Sequence, residues 1–179
     1  LWNGTGYDLY NPTTPSLNAR ANRFCSGDLP AISAFYNSAT GKGTKERIFM
    51  NGEESGNEGR AFAHIATGAN AGSTYELPYL GKFSWENSVA NMGTGDKTVV
   101  AGTDDAGGGQ VYIYIGDKKT AGSDIEKAGL TGGNLYGIAV NGYLSESNGS
   151  IPADGTTFTL YNFGTVQNTT GATLQTNSV

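Results

Sequence analysis

Five carboxylates in this chain stand where they could hold a cation. Glu53 and Glu54 are adjacent in Asn51-Gly52-Glu53-Glu54-Ser55-Gly56, at the end of a stretch with β character. Two carboxylates at a glycine-flanked strand end repel each other unless a cation or a donor compensates, and calcium accepts oxygen ligands in such flexible geometry. A solvated acidic turn is the plainer alternative. Glu86 stands in Gly81-Lys82-Phe83-Ser84-Trp85-Glu86-Asn87. In an extended segment Phe83 and Trp85 share one face and leave Ser84 and Glu86 on the other. A carboxylate beside the indole is partly desolvated, which raises its pKa or demands a metal; an ordinary strand simply turns Glu86 to water. Asp104 and Asp105 precede Ala106-Gly107-Gly108-Gly109, where glycine would let carbonyls turn inward around a cation, or where a hairpin loop uses Asp and Gly for its turn.

Other chemistries are narrowed by count. His64 is the single histidine and Cys25 the single cysteine, so a four-ligand structural zinc site is not available and no intrachain disulfide can form. Cys25, in Arg23-Phe24-Cys25-Ser26-Gly27-Asp28, reads as a small buried hydrophobe. In an oxidising compartment a lone thiol is a hazard unless it is buried, paired between chains or metal-bound. One histidine permits a Ser–His–Asp hydrolase, but no Gly-x-Ser-x-Gly elbow is present. Gly41-Lys42-Gly43-Thr44 lacks the earlier glycine of a phosphate loop. A net charge of -5 and a pI near 4.8 argue against nucleic acid as partner, because neutralising phosphates needs clustered Lys and Arg. No run of 18 apolar residues predicts a membrane span.

The elements that must position these groups are strands. Glycine supplies 28 of 179 residues and charged residues only 15%, a composition that excludes a helical bundle and predicts an all-β chain. Residues 1–30, with Pro12, Pro15 and Pro30, read as an arm or long connection, with one or two helical turns over Ser16 to Phe24; residues 31–179 read as the β domain. Strands are predicted near 47–51, 60–67, 73–79, 98–103, 110–116, 134–141 and 157–162. Val111-Tyr112-Ile113-Tyr114-Ile115 is apolar on both faces, as in a strand buried on both sides. Phe158, Leu160 and Asn162 alternate with Thr157, Thr159 and Tyr161, which predicts a half-exposed strand. Ser123-Asp124-Ile125-Glu126 has capping-box spacing and predicts a short helix that Gly129 stops. Many short strands between turn signals point to a propeller or a sandwich; no clean repeat period is visible.

Taken in order, four segments resemble the PhoX-type alkaline phosphatases and their secreted bacterial relatives. They are Phe24-Cys25-Ser26-Gly27-Asp28, Phe49-Met50-Asn51-Gly52-Glu53-Glu54, Leu80-Gly81-Lys82-Phe83-Ser84-Trp85-Glu86, and Gly102-Thr103-Asp104-Asp105 with Val111-Tyr112-Ile113-Tyr114. The resemblance implies part of a six-bladed β-propeller, with a β-sandwich as the alternative fold, and a central site of iron and calcium that hydrolyses phosphate monoesters. By motif, Cys25 would match the iron-binding cysteine, Glu53 or Glu54 and then Glu86 the family's glutamates, and Asp104 or Asp105 its next acidic pair. Asn51-Gly52 stands where the family often has Thr-Cys, and Trp85 replaces its histidine. At about 40–45 residues a blade, the chain would supply about four blades.

Two functions follow as expectations. The first is an exported, extracellular or periplasmic, metal-dependent phosphatase acting on a phosphate ester. The second is a non-catalytic extracellular structural or binding protein that keeps the β scaffold without the chemistry. An incomplete ring exposes strands and faces, so either reading expects a partner: the remainder of a propeller, or copies of the chain itself.

Overall fold

The computed structural model describes residues 1–10, 21–143 and 151–176. Its strands are β1 (Phe24–Asp28), β2 (Tyr36–Asn37), β3 (Lys42–Gly43), β4 (Ile48–Glu53), β5 (Ala61–Ile65), β6 (Thr74–Glu76), β7 (Trp85–Ala90), β8 (Lys97–Asp104), β9 (Val111–Asp117), β10 (Asn134–Ala139) and β11 (Thr159–Gly164); the helices are α1 (Asp124–Lys127) and α2 (Gly171–Thr176). They form a four-stranded sheet in the order β1-β4-β5-β6, a five-stranded sheet in the order β11-β10-β9-β8-β7, and the small hairpin β2-β3. Every pairing is antiparallel. The chain is all-β, and its two large sheets pack face to face in a sandwich-like arrangement. Each sheet is a sequential meander, with β1 added on the outer side of β4. The described residues thus make two large layers where the length arithmetic expects about four.

Period-two alternation decides what each face carries. Ile48 and Met50 of β4 and Ala61, Ala63 and Ile65 of β5 are buried on the inner face of the first sheet. Against them the second sheet sets Phe83, Trp85, Tyr112 and Tyr114, all 0–1% exposed and part of one continuous core. Phe83 stacks on Trp85 at 4.0 Å and on Tyr112 at 4.5 Å between ring centroids. Val100 of β8 and Leu135 of β10 complete the second sheet's share of this core.

Two glycines make the approach possible. A Cβ on Gly52 of β4 would lie 2.3–2.6 Å from Cβ and Cγ of Trp85, and one on Gly102 of β8 would lie 2.5–2.8 Å from ring carbons of Trp85 and Phe83. The edges of the two sheets are also tied: Ser26 Oγ donates to the Glu86 carbonyl, and the Ala90 N–H donates to Asp28 Oδ2 at 2.9 Å. Edge strand β7, whose free side would otherwise carry unpaired backbone groups, is thereby satisfied by β1 side chains. At the opposite end Asp96 accepts from Asn37 Nδ2 (2.7 Å), Thr40 Oγ1 (2.6 Å) and Lys42 Nζ (2.8 Å). Buried Lys118 donates to the carbonyls of Gly95 (2.9 Å) and Lys97, which fixes the turn before β8.

The seven predicted strands are present with shifted ends. Residues 73–79 hold only the short β6, because Pro78 starts a 3-10 turn over Pro78–Leu80. Strands β1 and β7 have no counterpart among the predicted segments; β1 falls within the first 30 residues. Of the helical turns expected from Ser16 to Phe24, residues 16–20 lie outside the described residues, and Phe24 opens β1. Strand β9 is buried on one side only: Tyr112 and Tyr114 are enclosed, whereas Val111 is 41% exposed and Ile113 and Ile115 are half-buried. Strand β11 is exposed through its first four residues because it closes the sheet edge. The capping box forms as its spacing predicts, with Ser123 N–H donating to Glu126 at 2.8 Å, and Gly129 has the positive φ of 73° that ends the helix.

Gly52→Ala is expected to destabilise the chain by about 1–3 kcal/mol, the range for overpacking a filled core. Gly107→Ala, in open space with nothing within 4 Å, is expected to change little; urea unfolding of the two variants measures the difference.

Candidate functional site

The registers place the sequence-selected residues toward one end of the two sheets. Phe24 pairs with Glu53, Trp85 pairs with Asp104, and Ser26 reaches the Glu86 carbonyl. The start of β1, the end of β4, the start of β7 and the end of β8 are therefore neighbours. Their side chains enter separate pairings.

Glu53 is buried, 3% exposed, and its acceptors are engaged. Arg60 Nε donates to Oε2 at 2.8 Å and Nη2 to Oε1 at 2.9 Å, a two-pronged pair; the backbone N–H groups of Asn22 (2.7 Å) and Arg60 (3.0 Å) complete the set. Burial pushes the Glu53 pKa up, but the guanidinium and the two N–H donors outweigh it, and the net shift is downward. Arg60 is raised in turn by its bond to Glu53; it also lies over the Phe62 ring at 5.1 Å. The hairpin generates this pair. Gly52 sits opposite Ala61, and the Glu53 N–H donates to the Arg60 carbonyl at 2.9 Å, so the two side chains flank the closing turn.

Glu54 pairs with Arg23 Nη2 at 2.6 Å. Cys25 is exposed, not a buried hydrophobe, and it lies beside Glu54. Its thiol pKa is raised, first by the hydrogen bond to the Glu54 carboxylate and further by desolvation and that negative charge, against the lowering influence of Arg23. It remains a thiol near neutral pH, the weak form for binding a metal or attacking an electrophile. Glu86 is exposed, so the indole beside it in sequence does not desolvate it: Trp85 points into the core and Glu86 away from it. Asp104 is half-buried and accepts from the Ser84 N–H at 3.1 Å and Gln175 Nε2 at 3.4 Å. Burial raises its pKa, with a further push from Asp105, against those two donors. Asp105 is exposed, and its N–H donates to the Ser84 carbonyl at 2.8 Å.

The structure thus brings Cys25 to Glu54 and Asp104 to Asp105, and seats Glu53 against Arg60. Among the described residues no three His, Cys, Asp or Glu side chains converge as a group able to hold a metal ion. The donor chemistry agrees: one implied carboxylate is closed by a guanidinium, a second carries an arginine, and the implied thiolate is held protonated. These residues do not fit the iron and calcium centre that the resemblance implies.

His64, the remaining chemically active side chain, sits on the outer face of β5. Its Nδ1 is 2.8 Å from Thr74 Oγ1 and its Nε2 3.0 Å from Asn51 Oδ1. Asn51 Oδ1 can only accept, so Nε2 carries the proton and Nδ1 accepts from Thr74. Burial lowers its pKa. Both nitrogens are engaged with neutral partners, which orients the ring rather than activating a nucleophile. Arg60, Arg23, Asn51 and Thr74 escaped the sequence reading; the β4–β5 turn between Glu53 and Arg60 is the signal that could have exposed the first.

Glu53→Gln is expected to cost about 3 kcal/mol, because it removes the carboxylate that holds the partly buried guanidinium by two hydrogen bonds. The wild-type Glu53 pKa lies below the ordinary 4.5, so its contribution is complete above that pH and disappears as the pH falls through the lowered value. Unfolding free energies measured from pH 7 downward should therefore converge for wild type and variant in acid.

No known protein family, no curated protein and no solved structure matches this chain.

Proposed function

We propose that this chain is a structural β module, two stacked meanders that act as consecutive blades of a larger all-β assembly, and that it does not hydrolyse phosphate esters by itself. The observation that carries the reading is the closure of Glu53 by Arg60 and two backbone N–H groups. A carboxylate that must bind a cation keeps lone pairs free for it; this one has its acceptors directed at donors of its own chain. The blade reading draws support from the sequential order of both meanders and from the seam where β1 abuts β7. Consecutive layers that start side by side and pack face to face are what radial repetition of a meander produces.

The phosphatase alternative keeps one supporting feature, the shared end at which Cys25, Glu54, Glu86 and Asp104 lie. Further ligands, from a partner or from more chain, would be needed to make a centre there. The purified chain supplied with calcium and iron is expected to hydrolyse an aryl phosphate no faster than buffer containing the same ions. Turnover that falls in Glu86→Gln would return the hydrolase reading to first place.

A further inference from the structure

Four asparagines in this chain precede glycine: Asn3, Asn51, Asn141 and Asn148. An Asn-Gly pair carries a covalent reaction of its own. The glycine nitrogen attacks the asparagine Cγ, a C–N bond forms, and the side-chain nitrogen leaves with the displaced proton as ammonia. A five-membered succinimide remains in the main chain. Water then opens that ring at either carbonyl and gives aspartate or isoaspartate, so water is the sole co-reactant and no electrons change hands. Glycine favours the closure because no Cβ shields its nitrogen. The fold puts three of these pairs in three different settings; Asn148 lies outside the described residues.

Asn51 is 7% exposed and is held on both sides of β4. It pairs with Gly27 of β1 and Phe62 of β5, and Gly52 pairs with Ala61. Its Oδ1 accepts from His64 Nε2 at 3.0 Å. Ring closure there requires the main chain to leave its ladders and the side chain to give up the imidazole. Asn3 is exposed, but its amide is tied at both ends. Oδ1 accepts from the N–H groups of Thr5 and Gly6, each at 2.9 Å, and from Thr5 Oγ1 at 3.0 Å. Nδ2 donates to Asp8 Oδ2 at 2.8 Å, which anchors the carbon that must be attacked.

Asn141 has none of these restraints. It and Gly142 are the exposed middle of the turn after β10, which the Tyr143 N–H closes by donating to the Val140 carbonyl at 3.0 Å. Gly142 has a φ of 83°, and a Cβ built on it would meet nothing within 4 Å. Among the described residues neither the Asn141 side chain nor the Gly142 N–H makes a hydrogen bond. Nucleophile and target are both open to water.

We propose that Asn141 is a deamidation site, and that in the folded chain it reacts ahead of Asn3 and Asn51. The product adds a negative charge to the turn, and its isoaspartyl form also lengthens the main chain by a methylene. The change falls just past Ala139, the last residue of β10, which pairs with Thr159 of the edge strand β11. Neither the site nor its reaction depends on the structural-module reading.

The test incubates the intact chain in warm, mildly alkaline buffer, folded and separately unfolded in guanidinium chloride. A glutamate-specific protease then cuts after Glu146 and puts Asn141 and Asn148 on separate peptides. Mass spectrometry follows the fraction of each asparagine converted to acid, and each rate is taken relative to the same pair in the unfolded chain. Asn141 is expected to keep its unfolded rate within a few-fold. Asn51 is expected to fall at least about tenfold below its own, because it must await an opening of the sheet. Asn3 is expected between the two. Asn3 or Asn51 converting as fast as Asn141 in the folded chain overturns the proposal. So does folding that slows Asn141 as strongly as Asn51.

Discussion

The Trp85 indole lies where two backbone positions lack a Cβ, Gly52 on the facing sheet and Gly102 on the neighbouring strand. With a larger residue at either place the sheets could not approach to this distance, and the stack of Phe83, Trp85 and Tyr112 would lose its seat. The same ring fixes the strand start. Trp85 is held inward opposite Asp104, and a bulge between Trp85 and Asn87 then resets the alternation. Glu86 is thereby turned away from the core, and Asp104 is left within reach of the Ser84 N–H. The position of every candidate acidic group on the second sheet follows from how one indole is packed.

On the first sheet the governing constraint is charge. Glu53 is buried deeply enough that an unpaired carboxylate would be costly, and the hairpin supplies Arg60 on the next strand to meet it. Glu54, one residue on, faces Arg23 instead. The adjacent acids that looked like a cation site are each answered by an arginine delivered by local topology. What the acidic pair does is hold the β4–β5 turn and the approach to β1.

Much of this architecture was legible because it depends on local alternation. β4, β5, β8, β9 and β10 show short apolar runs between glycine-rich turns, and the α1 capping box needs only four residues. β1 and β7 were hidden because their sequences, Phe-Cys-Ser-Gly-Asp and Trp-Glu-Asn-Ser-Val-Ala, lack clean period two; β7 carries a bulge, and both are stabilised by side chains reaching across a seam. The apolar run of β9 could not reveal whether its second face is covered, since Val111 and Ile113 read the same in either case. For the site, residue types were legible but their partners were not. Nothing in Asn51-Gly52-Glu53-Glu54 distinguishes an acid awaiting a cation from one that already has a guanidinium.

The edges bear on how such a chain can associate. The free side of β6 is guarded by the N-terminal residues: Trp2 N–H donates to Glu76 Oε2 at 3.2 Å and Tyr7 Oη to the Glu76 carbonyl at 2.8 Å, with Trp2, Tyr7 and Tyr75 in edge-to-face contact. The β1 and β7 edges serve each other. Among the described residues β11 is the open edge strand, and it is the most exposed one. Lateral strand addition is thus blocked along most of the perimeter.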